Sequence, residues 1–429
     1  MAKRRLSSLF SPMESSRVIN MKILMLGMNY APESTGIGPY TSEFAEFLSE
    51  SGHDVHVITA PPHFPQWMVR QDYRGKTFRT ELVNGVHVHR TYTYVPAKPR
   101  KVINRLLYDS IFSVSVMFRA LLIGQVDLVF AVSPPVQLGL TAWLVSRFHR
   151  APLFFHIQDI VSRAAVGTGM VQASSIVNQI ALRVEHSAHR CADAIGVICD
   201  GFRRHLLGTG VPSAKIVFFP NYVDTQLLQP GPRVGAFRTA HRLDENDFVV
   251  MYSGGIAQKQ GLETLVLAAE NARQFKFFII GEGSTKDDLE REVAARNLTN
   301  VTILPLQPKA TLAQQLCAAD VLVIMQKRNV TDAVFPSKLL TYMACERPIV
   351  AGVSEDSETA CFIRQHHVGI VVPPEDPAAF AAALVELKEN PELAAKMACS
   401  ARNLVMSTFE KTAVLRRMSA VLTATVIPV

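Results

Sequence analysis

The sequence predicts an α/β protein of two Rossmann-like domains, each on a mostly parallel sheet, facing each other across a cleft. Three observations carry this. Short β-rich runs alternate with helix-patterned stretches, that rhythm breaks once in a Pro/Gly-bearing stretch and resumes, and 429 residues exceed one ordinary core.

The elements follow in order. Residues 1–20, MAKRRLSSLFSPMESSRVIN, start basic, but their apolar stretch is too short for a signal peptide. They are expected to be a disordered leader, with Met21 opening the fold. The runs KILMLGMN, DVHVITAPP, GVHVHRT, LVFAVSPP, PLFFHIQ, AIGVIC and KIVFFPN are strands of a first domain, 21–228. QPGPRVGAFRTAHRLDEN, 229–246, is polar and Pro/Gly-bearing and is expected to be a linker. FVVMYSG, KFFIIGEG, VTILPLQ, DVLVIMQ, RPIVAG and VGIVVPP then build a second domain, 247–407, with helix patterns at 262–272 and 378–388. A terminal helix within 408–429 is free to pack back on the first domain.

A composition of 48% hydrophobic and 19% charged residues suits packed cores and excludes a disordered chain. Cys191, Cys199, Cys317, Cys345, Cys361 and Cys399 form no CxxC pair, which argues against a disulfide or zinc framework and for a reducing, cytoplasmic setting. The 44 Lys and Arg against 37 Asp and Glu leave a net charge of +7, concentrated at 3–5 and 90–105. That surplus suits an anionic ligand or an anionic membrane face. The longest apolar stretch, 106–123, contains Asp109 and Arg119, so no membrane span is expected.

Three glycine- or lysine-bearing turns stand after strands. In NYAPESTGIGPYTSEFAEFL, 29–48, Gly36 and Gly38 precede a helix, but no third glycine follows, no acid ends the second strand (Thr59-Ala60-Pro61-Pro62 stands there), and no Gly-Lys-Ser/Thr follows. A dinucleotide fingerprint and a P-loop are both disfavoured; an anion-facing turn and a plain tight turn stay open. SGGIAQKQGLETLV, 253–266, places Lys259 between a glycine turn and a helix starting near Gly261. In VFPSKLLTYMACERP, 334–348, Pro336 fits a first helical position, with Ser337 and Lys338 in the first turn. Lysine is disfavoured at that positive helix end unless an anion offsets it. One such lysine is ordinarily a solvated charge; two at one sheet edge point to an anion. No DxD and no His/Asp/Glu cluster with metal spacing is visible, so no metal is expected.

In this order, TGIGPYTSEFAEFLSESGHDVHVITAPP, FFPNYVDTQLLQP, MYSGGIAQKQGLETLV, IIGEGSTKDDLE and PSKLLTYMACERPIVAG resemble the GT4 family of retaining, nucleotide-sugar-dependent glycosyltransferases with the GT-B fold, over 21 to about 407. The resemblance implies a GDP- or UDP-sugar donor, no cofactor, a donor site mainly on the second domain and an acceptor site mainly on the first. It places Gly36 and Gly38 near the donor diphosphate, Gly254, Gly255, Lys259, Gln260 and Gly261 in the phosphate turn, and Ser337 and Lys338 on the helix reaching diphosphate and ribose. Within the family it is nearest to members of colanic-acid-type exopolysaccharide assembly, with fucose the sugar in question and a lipid-linked or oligosaccharide acceptor.

Departures are plain. The family's paired glutamates correspond to Ala333 and Thr341, and its Arg and Lys of the phosphate turn to Gly255 and Gln260, leaving Lys259 and Lys338 to neutralise charge. His156 in FFHIQDI is the candidate for orienting sugar and acceptor hydroxyl, with Asp159 beside it; of the acids Asp332, Glu346 and Glu358, Glu358 is the one expected at the ribose. Arg90, Lys98, Arg100, Lys101, Arg105, Phe64 and Trp67 suit peripheral attachment to an anionic membrane on the cytoplasmic side. A sugar-nucleotide epimerase and a catalytically silent partner protein remain alternatives, whereas nucleic-acid binding is disfavoured because no aromatic residues interleave the basic ones.

Overall fold

The computed structural model describes residues 20–98, 101–162, 172, 174–328 and 337–426. The leader 1–19, Arg100, Asp332, Ala333 and Pro336 lie outside them.

The first sheet contains β1 (Lys22–Leu26), β2 (Asp54–Thr59), β3 (Thr80–Val83), β4 (Val86–Arg90), β5 (Leu128–Ser133), β6 (Leu153–Ile157), β7 (Ala194–Val197) and β8 (Ile216–Phe218), in the order β3-β4-β2-β1-β5-β6-β7-β8. All pairings are parallel except β3 with β4. β5 and β6 are buried along their whole length. Helices cover both faces of such strands, which therefore read as unbroken apolar runs. The sequence reading passes over β3, although Asn84 and Gly85, both at positive φ, form the hairpin turn into β4.

The second sheet contains β9 (Val249–Ser253), β10 (Lys276–Ile280), β11 (Val301–Leu304), β12 (Val321–Met325), β13 (Ile349–Gly352) and β14 (Gly369–Val372), ordered β11-β10-β9-β12-β13-β14 and all parallel. The expected linker is not free chain. Within it, helix Ala236–Ala240 presents Arg238, which is 2% exposed and donates to the Ala318 carbonyl at 3.0 Å and to Asp320 at 2.6 Å. A buried guanidinium so paired ties 229–246 to the second domain, so that unit begins before 247.

Helix Lys411–Val426 buries Val414, Leu415, Met418 and Leu422 in the core that holds Phe44 and Leu48 of the first domain. Lys411 pairs with Glu43 at 3.1 Å, and Arg402 donates to Leu228 and Ala344 carbonyls at 3.0 and 2.8 Å. The chain end thereby joins the two domains. No helix among the described residues is long and apolar enough to cross a membrane.

Candidate active site

The second-domain wall starts from backbone. β9 ends at Ser253, and Gly254 turns at φ +150, its N–H donating to Ile280 O at 2.9 Å while Ile256 N–H donates to Glu282 O at 2.9 Å. The turn thus lies on the end of β10. A Cβ at Gly281 would stand 1.8 Å from Gly254 O, and one at Gly283 1.9 Å from Ile256 O. Both must be glycine for this approach. The sequence reading assigns neither, although IIGEG at a strand end is the visible signal.

Lys338, in the first turn of helix Ser337–Ala344, runs beneath this turn. Its Nζ donates to the Tyr252 hydroxyl at 2.7 Å and stands 4.0 Å from the Tyr252 ring centre. Tyr252 in turn donates to Gly255 O at 2.7 Å, so its oxygen is oriented to accept from the ammonium. A Cβ at Gly254 would meet Lys338 Nζ at 2.7 Å, which explains the glycine there. Burial pushes the Lys338 pKa down to about 7, with the nearby Lys259 charge acting in the same direction. The Lys338 ammonium, close to that of Lys259, is met by the Tyr252 ring and hydroxyl. Tyr342 fixes the strand end, accepting from Ser253 N–H at 2.9 Å and donating to Ser253 O at 3.0 Å.

Lys259 is exposed on the turn Gln258–Gln260, its carbonyl accepting from Lys327 N–H at 2.9 Å. Gly261 follows at φ +60, where a Cβ would lie 3.0 Å from Lys327 Cγ. Lys327 itself is paired with Glu263 at 2.6 Å, which leaves Lys259 as the cation presented beside Lys338. Gln260 Oε1 is buried without a hydrogen-bond partner in this turn. Ser337 is exposed and Thr341 half-buried.

The first-domain wall differs. Gly36 turns at φ +70 with its missing Cβ 3.2 Å from the Phe64 ring, and Gly38 opens helix Gly38–Glu50 against Glu33. Glu33 is buried and accepts from Asn29, His63 N–H and Phe64 N–H at 2.8, 2.8 and 2.9 Å. Asp159, just past β6, is half-buried, and burial pushes its pKa up to about 7 while Lys259 and Arg105 pull against that rise. Lys259 of one domain therefore sits near Asp159 of the other, and the site lies where the domains meet. Arg105, in helix Val102–Ala120, is stacked 5.5 Å from the Trp67 ring and 5.1 Å from the Tyr108 ring.

Several expectations are corrected. His156 is 5% exposed, stacked on Phe219 at 4.2 Å, with Nε2 against Phe219 O at 3.3 Å, and burial holds its pKa down to about 4. It is a neutral core imidazole beside a cavity of about 10 Å³, room for one water, not a group facing substrate. Glu358 has Oε1 on Gly201 N–H at 2.8 Å and Oε2 on Arg204 at 2.7 Å, so its carboxylate joins the domains instead of waiting for a ribose. Arg90 is 1% exposed and donates to Glu81 at 2.8 Å and to Ala60 O, which removes it from any membrane-facing set. Trp67 is half-buried under Arg105. Finally, Asp54, His56 and His87 do come within metal-binding spacing, at the far end of the first sheet; strands 30 residues apart bring them together, so linear spacing hides them.

Residues 35–222 match the Glycosyl transferase 4-like domain and 235–404 the Glycosyl transferases group 1 domain. Over 332 residues, 76% of this chain and 81% of the relative, the sequence is 35% identical to a protein of Escherichia coli K12 named for colanic acid biosynthesis, the glycosyl transferase WcaI. It is 26% identical over 283 residues, 63% of this chain and 70% of the relative, to the alpha-D-kanosaminyltransferase of Streptomyces kanamyceticus. HepE of Anabaena, solved in complex with UDP, superposes with a TM-score of 0.70 at 16% identity, covering 94% of this chain and 100% of that one. Sucrose-phosphate synthase of Thermosynechococcus elongatus gives 0.72 at 19%, covering 94% and 98%. The two matched domains, the long alignment at 35% identity and the paired sheets together place the chain in the GT4 family of GT-B glycosyltransferases, and it is a glycosyltransferase.

Proposed function

We propose that the protein moves a sugar, with retention at the anomeric carbon, from a nucleotide diphosphate sugar to a lipid-linked saccharide in colanic-acid-type exopolysaccharide assembly, the donor being GDP- or UDP-linked and fucose the sugar in question. The observation that carries the donor reading is Lys338, held under Gly254 beside Lys259 at the carboxyl edge of the second sheet. Ligands of open α/β sheets bind at that edge, and a diphosphate matches two adjacent ammonium groups in charge. The polysaccharide reading leans on the name of the Escherichia coli relative.

In transfer, the acceptor oxygen bonds to the anomeric carbon as the bond from that carbon to the diphosphate oxygen breaks, and the acceptor proton passes to the leaving phosphate. Negative charge grows on the leaving oxygens. Lys338 and Lys259 stabilise it most where water is excluded. Asp159, within electrostatic reach of Lys259, is the candidate for an acceptor-hydroxyl contact.

A lipid-linked acceptor requires a membrane-facing side. Helices Val102–Ala120, Gln137–His149 and Ile176–Cys191 pack side by side, and their outer stripe exposes Ile103, Val114, Phe118, Phe148, Ile176 and Ile180. That apolar stripe, with Lys98 and Lys101 exposed at its start, suits peripheral seating on an anionic leaflet.

The test is a panel of GDP- and UDP-sugars scored by thermal stabilisation, then by transfer to a lipid-linked acceptor on vesicles. One nucleotide series should raise the midpoint of the wild type and fail with Lys338→Ala. Equal stabilisation of both proteins would remove the donor site from this position.

A further inference from the structure

At the end of the first sheet away from the cleft, β2 and β4 run parallel with His56 registered against His87. Alternate residues of a strand share a face, so Asp54 and His56 of β2 stand beside His87 and His89 of β4. The His56 ring is stacked on His87 at 4.8 Å and on His89 at 5.3 Å. Asp54 Oδ1 lies 3.1 Å from His56 Nε2 and 4.0 Å from His87 Nε2, and the three candidate ligand atoms fall within 4.8 Å of one another.

We propose that Asp54, His56 and His87 bind a divalent transition-metal ion, Zn2+ being the expected occupant, at a site separate from the sugar-transfer cleft. Two imidazoles and a carboxylate are a zinc donor set. Ligand atoms around tetrahedral zinc lie about 3.3 Å apart; Asp54 and His56 already stand at 3.1 Å, while His87 Nε2, 4.0 Å from Asp54 Oδ1 on a side chain that is 46% exposed, has to move inward. Lys22 approaches Asp54 at Oδ2, 3.7 Å away, and leaves Oδ1 for the ion.

A metal-bound histidine usually donates its other ring N–H to a fixed partner. That partner exists here: His56 Nδ1 is 3.0 Å from His89 Nε2, and His89 Nδ1 is 3.0 Å from Thr80 Oγ1. With zinc on His56 Nε2, His56 Nδ1–H donates to His89 Nε2, and the Nδ1–H this places on His89 donates to Thr80 only as Arg119, whose Nη2 lies 3.1 Å from that nitrogen, turns away. Without it the same atoms relay the other way, His89 Nε2–H to His56 Nδ1 and His56 Nε2–H to Asp54. The Arg119 N–H on His89 Nδ1 favours the metal-free relay, so zinc binding has to displace that guanidinium, and the ion would then pin β2 to β4 beside the edge hairpin. The cluster sits at the amino ends of its strands, opposite the edge that carries Asp159.

The experiment uses tag-free, chelator-treated full-length protein, titrated with Zn2+ against a chromophoric chelator. Wild type should bind one equivalent in the micromolar range or tighter and show a zinc-dependent rise in Tm. His87→Ala should bind at least tenfold more weakly, and the pair Asp54→Asn with His87→Ala should lose the equivalent and the Tm response, while far-UV circular dichroism and a cooperative thermal transition confirm that each variant is folded. Failure of the wild type to bind zinc, or equal binding by all three proteins, overturns the site.

Discussion

The turns at 36–38 and 254–261 follow the same strand–turn–helix order, yet their surroundings are opposite. Around Gly36 the neighbour is a side chain, the Phe64 ring at 3.2 Å, and a Cβ at Gly38 would lie 3.4 Å from Cβ and O of Glu33, whose carboxylate holds the 63–64 backbone. Around Gly254 the neighbours are a cation and backbone: Lys338 Nζ on one side, with Gly281 and Gly283 pressed against the turn's carbonyls on the other. The first turn is a packed corner; the second is a frame for an ammonium group. A glycine before a helix therefore says little until the groups filling the space of its absent Cβ are known.

If this contrast is right, the largest effect belongs to Lys338→Ala, which removes the recessed cation: kcat should fall about 10³-fold, the upper range for one stabilising donor, with the Tm little changed. Lys259→Ala, on the exposed side, should cost about 10²-fold. Steady-state assays on both, beside calorimetry, separate catalysis from folding, and full activity in either would cancel the assigned role. Gly254→Ala should displace Lys338 and reduce nucleoside diphosphate affinity about tenfold, since the new methyl would stand only 2.7 Å from its Nζ.

The pH dependence sharpens the same contrast. Burial lowers the Lys338 pKa from its ordinary value to about 7, so the free protein loses the ammonium charge as pH rises through 7. A bound diphosphate favours the charged form, so binding of the donor's nucleoside diphosphate should take up a proton, and affinity should fall by up to tenfold per pH unit above about 7. Titration calorimetry in buffers of different ionisation enthalpy reads that uptake, and Lys338→Met should abolish it. For stability the sign is the reverse of a salt-bridged lysine: the unfolded chain keeps the proton up to about 10.4, so this group adds stability as pH rises from 7 towards that value.

The smallest effect is expected at the other turn. Gly36→Ala puts a side chain at φ +70 against a ring that can yield, costing about 1 kcal/mol, or a Tm loss of about 2–4 °C. Nucleoside diphosphate affinity should stay within twofold. A loss comparable to that of Gly254→Ala would erase the distinction between the turns.

Much of the fold was legible because parallel strands buried on both faces must be apolar and continuous. KILML, LVFAVS and VLVIM are such runs, and each is a strand. The Asn84–Gly85 hairpin carried a local turn signal that the alternation of strands and helices overshadowed. Lys259 and Lys338 stood out through their odd position at helix starts. Tyr252 and the Gly281–Gly283 pair did not, because their roles are contacts with residues far along the chain.

By itself the sequence determined two parallel α/β domains and a pair of lysines after strands, since hydrophobic period and helix-end charge are local properties. Only the tertiary structure decided that His156 is sealed behind Phe219, that Glu358 ties the domains together, and that Asp54, His56 and His87 meet. Burial and pairing arise between segments, and a side chain's protonation and availability follow from what packs around it.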